Sequence, residues 1–561
     1  MQSVNADVLV IGGGGAAGMA AIEAGKKTNA VAIAVKGKLG KSGATPMALG
    51  ASAGVGPWRH PEDSKETHLR DTVKGGAFLN EDKLVRAMID EAGDRLVDCE
   101  RYGSYWERAE KGAAYMLRID GGHSYPRSPY LEDRPGLEMM RAMRGEIIRK
   151  GMTVLEDVMV TKLLTDGGKV AGAVGIKMQS GEPVVIKAKA VVIAVGGAGE
   201  LYPLNTQDVR NTGEGFVMAL EAGAALLDME FVQFFPIGLV LPRSVRGILA
   251  AAPYYVHLLN KDGHRFMGDY DPRLELATRD IVSRSVYQEI LQGRGTPSGG
   301  VYADMTYHPP GFMKRQMPGL YEQYYKWGID IEKDMIEIAP TCHFFMGGIR
   351  VNEDWAADVP GLYAAGEVAG GIHGANRLSQ NSLADVLVSG YRAGKAAGIY
   401  ASGSLAVKIN NEQVREELSR VYGILDNRNG GGQRPLQMRR ALKETMWNKV
   451  GLIRDGKGLH EAAAEIGLML ADEVSKMVVT SSSRMANREW IEALENINLL
   501  KVARSIIESA ICRTESRGAH FRRDYPQRDD ENWMNHVVVN EKAGAVVVSK
   551  TALNRCAVGE E

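Results

Sequence analysis

The chain has 561 residues, more than one ordinary domain, and its content of 45% hydrophobic and 24% charged residues is typical of a globular protein. A formal net charge of −1 provides no overall field that would attract nucleic acid or a membrane surface. No run of about 18 apolar residues is present, so we expect no membrane-spanning segment.

The four cysteines are scattered and form no C-x-x-C pair. We therefore expect no zinc site, iron–sulfur cluster or other metal site in this chain. Scattered thiols favour a reducing compartment, and the sequence enters a strand without a leader segment. We predict a cytoplasmic protein that binds no nucleic acid.

The first predicted elements form a β–α–β unit. Asp7–Ile11 has the pattern of a buried strand, Gly12–Gly15 predicts a tight turn, Ala16–Lys27 predicts a helix, and Val31–Val35 predicts a second strand. This order is typical of a dinucleotide-binding domain.

The glycine turn fits the dinucleotide fingerprint in two registers, either Gly12, Gly14 and Ala17 or Gly13, Gly15 and Gly18. Such residues let the backbone approach a pyrophosphate and let helix and strand pack closely.

The residue after the second strand departs from the fingerprint. An acid usually follows this strand and binds the ribose, but the chain has Lys36 there. Two interpretations stay open: the ribose is held by backbone or water, or no dinucleotide binds. Later glycine turns favour the first.

Two distant segments repeat the pattern of a buried strand followed by glycines. Ala190–Val195 precedes Gly196-Gly197, and Leu362–Ala364 precedes a glycine-rich loop that contains Glu367. Asn381-Ser382 then predicts a helix start, because both side chains can cap the first free N–H groups. We predict an α/β fold with one doubly wound Rossmann-like domain assembled from distant pieces.

The remaining segments predict further domains. We expect the nucleotide-binding domain at 1–235 and 344–404, an inserted α+β capping domain at 236–343, a helical domain at 405–515 and an irregular tail at 516–561. The capping domain contains a predicted helix near Ala277–Leu291, and the tail contains a strand-like run, Ala543–Val548. Within the helical domain, the predicted helices are Asn411–Tyr422, Leu436–Val450, Leu459–Met477 and Arg488–Ile511.

Together these motifs resemble the flavoprotein subunits of fumarate reductase and succinate dehydrogenase, a family that includes L-aspartate oxidase. The resemblance covers nearly the whole chain. The matching segments are Val10–Gly18, Gly40–Thr45, Asp71–Gly75, Gly121–Arg127, Val195–Gly199, Asn211–Gly215, Asp228–Phe234, Thr278–Ser285, Pro340–Gly348, Gly361–Leu383 and Thr514–Arg528.

The resemblance implies FAD as the cofactor. Its expected contacts are Gly12, Gly14 and Ala17 at the pyrophosphate, Ser42, Gly43 and Thr45 beside the flavin, Glu214 and Glu367 at ribose or ribityl hydroxyls, Ser382 and Leu383 at the pyrimidine end, and also Gly15, Gly50, Met159, Gly196, Gly197 and Arg377. Membrane-bound members attach FAD through a histidine in this loop. Gly43 occupies that position, so we predict non-covalent FAD.

The resemblance also implies three catalytic residues. Arg377 and His343 would bind a substrate carboxylate, and Arg279 would transfer a proton to or from the carbon beside it. The flavin would exchange a hydride with the neighbouring carbon. A guanidinium suits the first task because it can bind a carboxylate through two parallel hydrogen bonds.

The expected second end of the substrate pocket departs from the family pattern. Phe235 stands in place of a substrate-binding histidine, and Ala251-Ala252 stands in place of a Thr-Glu pair, followed by Tyr254. Burying a carboxylate there without polar partners would cost several kcal/mol. We therefore expect a larger or less charged substrate than fumarate or succinate, or one with a single carboxylate.

Three functions stay open. The first is an oxidoreductase acting on a carbon–carbon bond next to a carboxylate or thioester; the second is an adenylylsulfate-reductase-like or amino-acid-oxidising relative; the third is a non-catalytic electron-transfer subunit. We expect a small acidic substrate, with an iron–sulfur protein subunit or a soluble electron carrier as partner. Through that partner the protein could also lie at the inner face of a membrane.

Overall fold

The computed structural model describes residues 1–561 except 51, 110–113, 120, 428–430, 543 and 555–561. The strands are β1 (Gln2–Asn5), β2 (Val8–Ile11), β3 (Val31–Val35), β4 (Leu117–Arg118), β5 (Ser128–Pro129), β6 (Thr153–Glu156), β7 (Val158–Asp166), β8 (Lys169–Lys177), β9 (Pro183–Lys187), β10 (Ala190–Ile193), β11 (Leu226–Leu227), β12 (Val232–Leu239), β13 (His257–Leu259), β14 (Val301–Asp304), β15 (Ile336–Phe345), β16 (Gly348–Ile349), β17 (Leu362–Ala364), β18 (Asn535–Lys542) and β19 (Ala545–Ala552).

The α-helices are α1 (Gly15–Ala24), α2 (Lys65–Gly75), α3 (Asp82–Arg101), α4 (Pro135–Arg149), α5 (Glu214–Glu221), α6 (Arg279–Leu291), α7 (Phe312–Gln316), α8 (Pro318–Lys326), α9 (Asn381–Gly403), α10 (Asn411–Gly423), α11 (Pro435–Val450), α12 (Gly456–Leu468), α13 (Val474–Lys476), α14 (Arg488–Cys512) and α15 (Asp530–Trp533). Within the described residues, no helix has the length and apolar character needed to cross a membrane.

A five-stranded parallel sheet with the order β17-β10-β2-β3-β6 organises the nucleotide-binding part of the fold. All residues of β2, β3 and β10 are buried, as their continuous apolar sequences predict for parallel strands covered on both faces. Helices α1 and α9 pack against each other beside this sheet. The predicted α/β, doubly wound fold is confirmed.

Three distant glycine turns meet at one edge of this sheet. Ile11 pairs with Ile193, and Ile193 pairs with Ala364, so strands β2, β10 and β17 end side by side. The carboxyl ends of parallel strands are where ligands of such sheets bind. The register therefore brings the dinucleotide loop, Gly196 and the glycine-rich loop before α9 together.

A second sheet has the order β12-β15-β14-β13. It includes β12, where the inserted segment begins, and β15, where it ends. Strand β12 carries the chain towards the insertion, and β15 brings it back by pairing antiparallel with β12. A separate apolar core lies under this sheet and includes Phe235, Ile237 and Leu258. The exact domain limits stay a prediction.

The predicted helices after residue 405 are present, with one difference. The continuous helix expected at Leu459–Met477 is α12, followed by a π-helical turn at Met469–Glu473 and the short α13. The spacing of apolar residues does not distinguish a π-helical turn from a regular α-helix, because the chain continues along the same helix axis through the π turn.

The prediction of an irregular tail was wrong, except that the described part of the strand-like run predicted within it, Ala545–Val548, lies in β19. Strands β18 and β19 form a hairpin, and β18 also pairs with β11, which pairs with β16. Val537, Val538 and Val539 are buried in this sheet. Ala543, the start of the strand-like run predicted from sequence, lies outside the described residues.

Buried charges join this C-terminal hairpin to the rest of the protein. His536 is fully buried, with Nδ1 2.5 Å from Asp228 and Nε2 3.1 Å from Glu81. Burial alone would lower the pKa of His536, but attraction to Asp228 and hydrogen bonds to both carboxylates raise it to about 10. His536 is therefore an imidazolium held between two acids at neutral pH.

We predict that His536→Gln lowers the melting temperature most at low pH. The raised pKa stabilises the folded state fully below the unfolded value near 6.5, and this contribution is lost as pH rises towards 10. The difference in melting temperature between wild type and variant, measured by scanning fluorimetry from pH 6 to 10, should shrink as pH rises. His460→Gln, at an exposed helix position, is the control. A difference that grows with pH would contradict this assignment of charge.

Candidate active site

The dinucleotide loop has a conformation that requires glycine. Gly12 has φ +132°, and a Cβ there would lie 2.1 Å from the carbonyl oxygen of Ala194. The same Cβ would be 3.4 Å from Ala17, which is fully buried behind the turn. Gly14 precedes α1, whose first amide, at Gly15, donates to Thr45 Oγ1 at 3.1 Å. The geometry supports the register Gly12, Gly14 and Ala17.

A long cleft runs along this edge of the sheet. The predicted cofactor residues that line it are Gly12, Gly14, Gly15, Ser42, Gly43, Thr45, Met159, Gly196, Glu214, Glu367, Ser382 and Leu383. Four other predicted residues, among them Arg377, lie outside its lining. Ala17 packs behind the loop, Gly197 lies against Glu367, and Gly50 is near Gln380.

Lys36 has a structural partner that the sequence did not reveal. Its ammonium pairs with Glu214 and lies 2.8 Å from Glu495 of α14 and 2.7 Å from Thr212 Oγ1. Burial would lower the pKa of Lys36, but the two carboxylates outweigh burial and raise it. Glu214, predicted to bind a hydroxyl group, is thus oriented at the cleft wall by a lysine and a distant helix.

Glu367 occupies the wall between two strand ends. Its Oε1 accepts the amide of Phe345 at 3.0 Å and the side-chain amide of Gln207. Burial raises the pKa of Glu367 to about 7, although both hydrogen bonds oppose the shift. Only Oε1 is engaged by these bonds, and the side chain lines the cleft, as expected of an acceptor for a cofactor hydroxyl.

The start of α9 differs from the prediction that Asn381 caps the helix. Gln380 holds the N-cap position, and Asn381 is the first helical residue. The buried side chain of Asn381 instead accepts from His68 at 2.9 Å and donates to Thr72 at 2.9 Å. These bonds to α2 fix the helix start whose next residue, Ser382, lines the cleft.

The two predicted active-site arginines come from different parts of the fold and meet at one side chain. Arg279 begins α6, and Arg377 lies in the loop before α9. Gln233 Oε1 accepts from Arg377 Nη2 at 3.1 Å and from Arg279 Nη1 at 3.4 Å. Arg279 also donates to Ser379 Oγ at 2.8 Å.

The carboxamide of Gln233 has one orientation that satisfies its neighbours. Its nitrogen donates to Asn376 Oδ1 at 2.7 Å and to the carbonyl of Arg377 at 2.8 Å. Asn376 is itself oriented, because its nitrogen donates to Asp280 Oδ1 at 3.1 Å. The oxygen of Gln233 must therefore face the guanidiniums. Gln233 is not among the site residues predicted from the sequence.

His343 lies beside these arginines and lines the cleft. Its Nδ1 is 2.7 Å from Thr206 Oγ1. Burial, together with the charges of Arg279 and Arg377, lowers the pKa of His343 well below its usual value. The imidazole is therefore neutral at physiological pH and can serve as a hydrogen-bonding group.

Apolar side chains lie beside this cluster. The ring of Phe235 lies 5.3 Å from the ring of His343 and 5.1 Å from the guanidinium carbon of Arg279. Ala251 is buried, and Ala252 packs against the same apolar core as Phe235. Tyr254 is half-buried and lies edge-on to Tyr255, with ring centres 4.4 Å apart. Leu249, not predicted from the sequence, lines the cleft next to this core.

Family models match both parts of the chain. Residues 7–383 match the FAD binding domain model, and residues 439–558 match the fumarate reductase flavoprotein C-terminal model. The chain belongs to the fumarate reductase and succinate dehydrogenase flavoprotein family. Its members are FAD-dependent oxidoreductases that act on CH–CH bonds, and the resemblance inferred from the sequence is confirmed.

Full-length relatives of this flavoprotein are similar in sequence. It is 42% identical to one of the subunits of the fumarate reductase (CoM/CoB) of Methanothermobacter marburgensis, covering 96% of this chain and 97% of the relative. It is 35% identical to the fumarate reductase flavoprotein subunit of Mycobacterium tuberculosis, covering 96% and 95%.

Solved structures extend this likeness to the fold. Sdh1 of Mycobacterium smegmatis in complex with UQ1 matches with TM-score 0.90 and 35% identity over 99% of this chain and 95% of that chain. A quinol-fumarate reductase with menaquinol matches with TM-score 0.92 and 30% identity over the whole of both chains. Adenylylsulfate reductase of Archaeoglobus fulgidus matches with TM-score 0.79 and 20% identity over 99% and 96%, a likeness of fold alone.

FAD is therefore the cofactor of this flavoprotein, and the cleft fits it. The glycines that approach the cleft leave room for a pyrophosphate at the start of α1, where the helix dipole favours an anion. Glu214 and Glu367 provide acceptors for hydroxyl groups along the same wall. The absence of an acid after β3 does not prevent dinucleotide binding.

We predict that FAD is bound without a covalent link. Gly43 lines the cleft with φ +90°, and it has no side chain that could attach a flavin. Denaturation with trichloroacetic acid should leave all of the yellow colour in the supernatant. Flavin fluorescence that stays with the denatured chain on a gel would contradict this prediction.

We predict that two changes at Gln233 affect different kinetic constants. Gln233→Leu removes the acceptor shared by the two guanidiniums and should lower kcat at least tenfold. Gln233→Glu keeps an acceptor but cancels one positive charge, so KM for an anionic substrate should rise more than kcat falls. Steady-state viologen oxidation gives both constants. Gln292→Leu, at an exposed position, is the control. Equal effects of both changes on kcat and KM would contradict these separate roles.

Proposed function

We propose that this chain is the catalytic flavoprotein subunit of an oxidoreductase acting on a carbon–carbon bond next to a carboxylate. The observation that carries the proposal is that Arg279 and Arg377 meet at Gln233 beside His343, which lines the FAD cleft. The three residues come from separate elements that are distant in the sequence, so only the fold brings them together. A subunit that only carried electrons would not need this cluster.

Arg377 and His343 would bind the carboxylate. Arg377 is buried, and its guanidinium lies 4.7 Å above the ring of Phe344, which restricts how far it can move. Neutral His343 adds a hydrogen-bonding group without a further charge. A buried guanidinium attracts an anion strongly, because its charge is only partly solvated.

Arg279 would hold and transfer the proton at the carbon beside the carboxylate. Bound FAD supplies hydride exchange with the neighbouring carbon through flavin N5. Arginine is a weak acid in water, so it can serve only in a fixed position next to the substrate. Ser379 and Gln233 fix that position through two hydrogen bonds, and the ring of Phe235 lies alongside.

Two other functions have weaker support. The likeness to adenylylsulfate reductase concerns the fold, and the clustered arginines suit a carboxylate at a CH–CH bond. An amino-acid-oxidising reaction would place an ammonium group on the substrate, close to two guanidiniums, where like charges repel. The names of the two relatives favour fumarate, which makes fumarate the reference substrate for any assay.

The electrons must be exchanged with a second protein or a carrier. We infer an iron–sulfur protein subunit or a soluble carrier, because both relatives are named as subunits of a larger enzyme. We place the complex in the cytoplasm or at the inner face of a membrane. The substrate would be a small organic acid.

We predict that Arg279→Lys abolishes turnover but leaves FAD in place. Lysine keeps the charge, but its single nitrogen cannot replace both Nη1, which bonds Gln233, and Nη2, which bonds Ser379. The proton would therefore be misplaced. Oxidation of reduced methyl viologen by fumarate, crotonate, cinnamate, crotonyl thioester and adenylylsulfate should fall at least a hundredfold for every active compound. Arg273→Lys, an exposed arginine six residues earlier, should keep full activity.

The outcomes of this assay separate the three functions. An active enoate with a dead Arg279→Lys variant supports the proposal. Activity with adenylylsulfate alone, or with no compound while an iron–sulfur protein still reoxidises the flavin, would overturn it.

A further inference from the structure

We propose that the substrate of this active site is a 2-enoate with a single carboxylate and an apolar group, alkyl or aryl, on its β-carbon, or the corresponding saturated acid. The inference rests on the proposed function and narrows it, because it assigns one end of the site to an anion and the other end to a hydrocarbon surface. Phe235 is then the residue that determines specificity.

The positive end of the site is compact. Arg377 and Arg279 share the oxygen of Gln233 as an acceptor, and His343 lies next to both. One carboxylate has two oxygens that can pair with this group of donors. A carboxylate offers these donors two charged oxygens, whereas a thioester offers one uncharged carbonyl oxygen, so a free acid fits this end better than a thioester.

We assign the other end of the site to a group of apolar side chains next to these donors. Phe235 exposes only 4% of its surface, and its ring touches both His343 and Arg279 on one side. Phe235 is also part of the apolar core that includes Ala251, and Leu249 packs against this core. Leu249 also lines the FAD cleft, so this apolar group reaches the cleft in which the cofactor would bind.

A second carboxylate would fit this surface poorly. A phenyl ring, an alanine methyl group and a leucine side chain offer no hydrogen bond to an anion, and desolvating a carboxylate without partners is strongly unfavourable. An alkyl or aryl group would instead remove apolar surface from water on contact with Phe235 and Leu249. Aromatic rings can also pack against each other in edge-on or offset geometry.

The proposed step balances as a two-electron reduction. The β-carbon of the enoate receives a hydride from the reduced cofactor, the α-carbon receives a proton from Arg279, and the carbon–carbon double bond becomes a single bond. Arg279 regains its proton from water, and the electron donor of the complex reduces the cofactor again. The saturated monocarboxylate is the product.

The test compares fumarate, trans-crotonate and trans-cinnamate as oxidants of dithionite-reduced methyl viologen with the FAD-loaded full chain. Phe235→His places a polar ring at the apolar end. Phe234→Leu is the matched control, because Phe234 lies next in the same strand but packs against Tyr202 and Trp447, away from the arginines. FAD content is measured for each protein, so a folding defect is separated from a change of specificity.

We expect kcat/KM for crotonate or cinnamate to exceed that for fumarate at least tenfold in the wild type. Phe235→His should reduce this ratio at least tenfold, and Phe234→Leu should leave it unchanged. Activity with fumarate alone in the wild type would overturn the single-carboxylate inference but leave the proposed function intact. Absence of turnover with all three acids would overturn both, and a ratio that does not respond to Phe235→His would refute the role of Phe235.

Discussion

The active site depends on holding two guanidinium groups side by side. In general, two unit charges about 6 Å apart in a partly buried environment repel by roughly 3 kcal/mol. The structure offsets this cost with neutral acceptors and aromatic faces. Gln233 accepts from both groups, Phe344 lies under Arg377, and Phe235 lies beside Arg279. These contacts hold both guanidiniums in positions from which they can donate to a substrate carboxylate.

The architecture delivers these groups from three places. Strands β12 and β15 are paired antiparallel, so Gln233, Phe235 and His343 are held on adjacent strands. Helix α6 of the inserted segment brings Arg279, and the loop before α9 brings Arg377. The same loop and helix contribute Glu367 and Ser382 to the FAD cleft. Cofactor and substrate residues therefore share one rigid support, and a shift of α9 would move both.

Much of the cofactor region could be predicted from the sequence, because its signals are local. A glycine turn after a buried strand is visible in a short window, and Gly12, Gly196 and Glu367 all line the cleft. The role of Lys36 was harder to predict, since its partner Glu495 is more than 450 residues away and no local pattern connects them. Asn381 looked like a helix cap for the same reason, because its true partners, His68 and Thr72, lie in α2.

At the substrate end of the site, too, only residues with a local sequence signal could be predicted. Arg279, His343 and Arg377 could be proposed from motifs, but Gln233 is a polar residue in an apolar strand and carries no signal until its neighbours are known. Part of β19 was predicted as a strand, but β18 was missed because its pairing strand β11 has only two residues and is distant in sequence. Whether such strands form depends on pairing with residues distant in the sequence, which their own sequences do not reveal.

The site has a charged end for one carboxylate and an apolar end at Phe235, and this division is the central claim. Calorimetric titration of the oxidised, FAD-loaded protein with 3-phenylpropanoate and with succinate tests it most directly, since binding needs no electron donor. We predict that 3-phenylpropanoate binds at least tenfold more tightly than succinate. Tighter binding of succinate would contradict the claim.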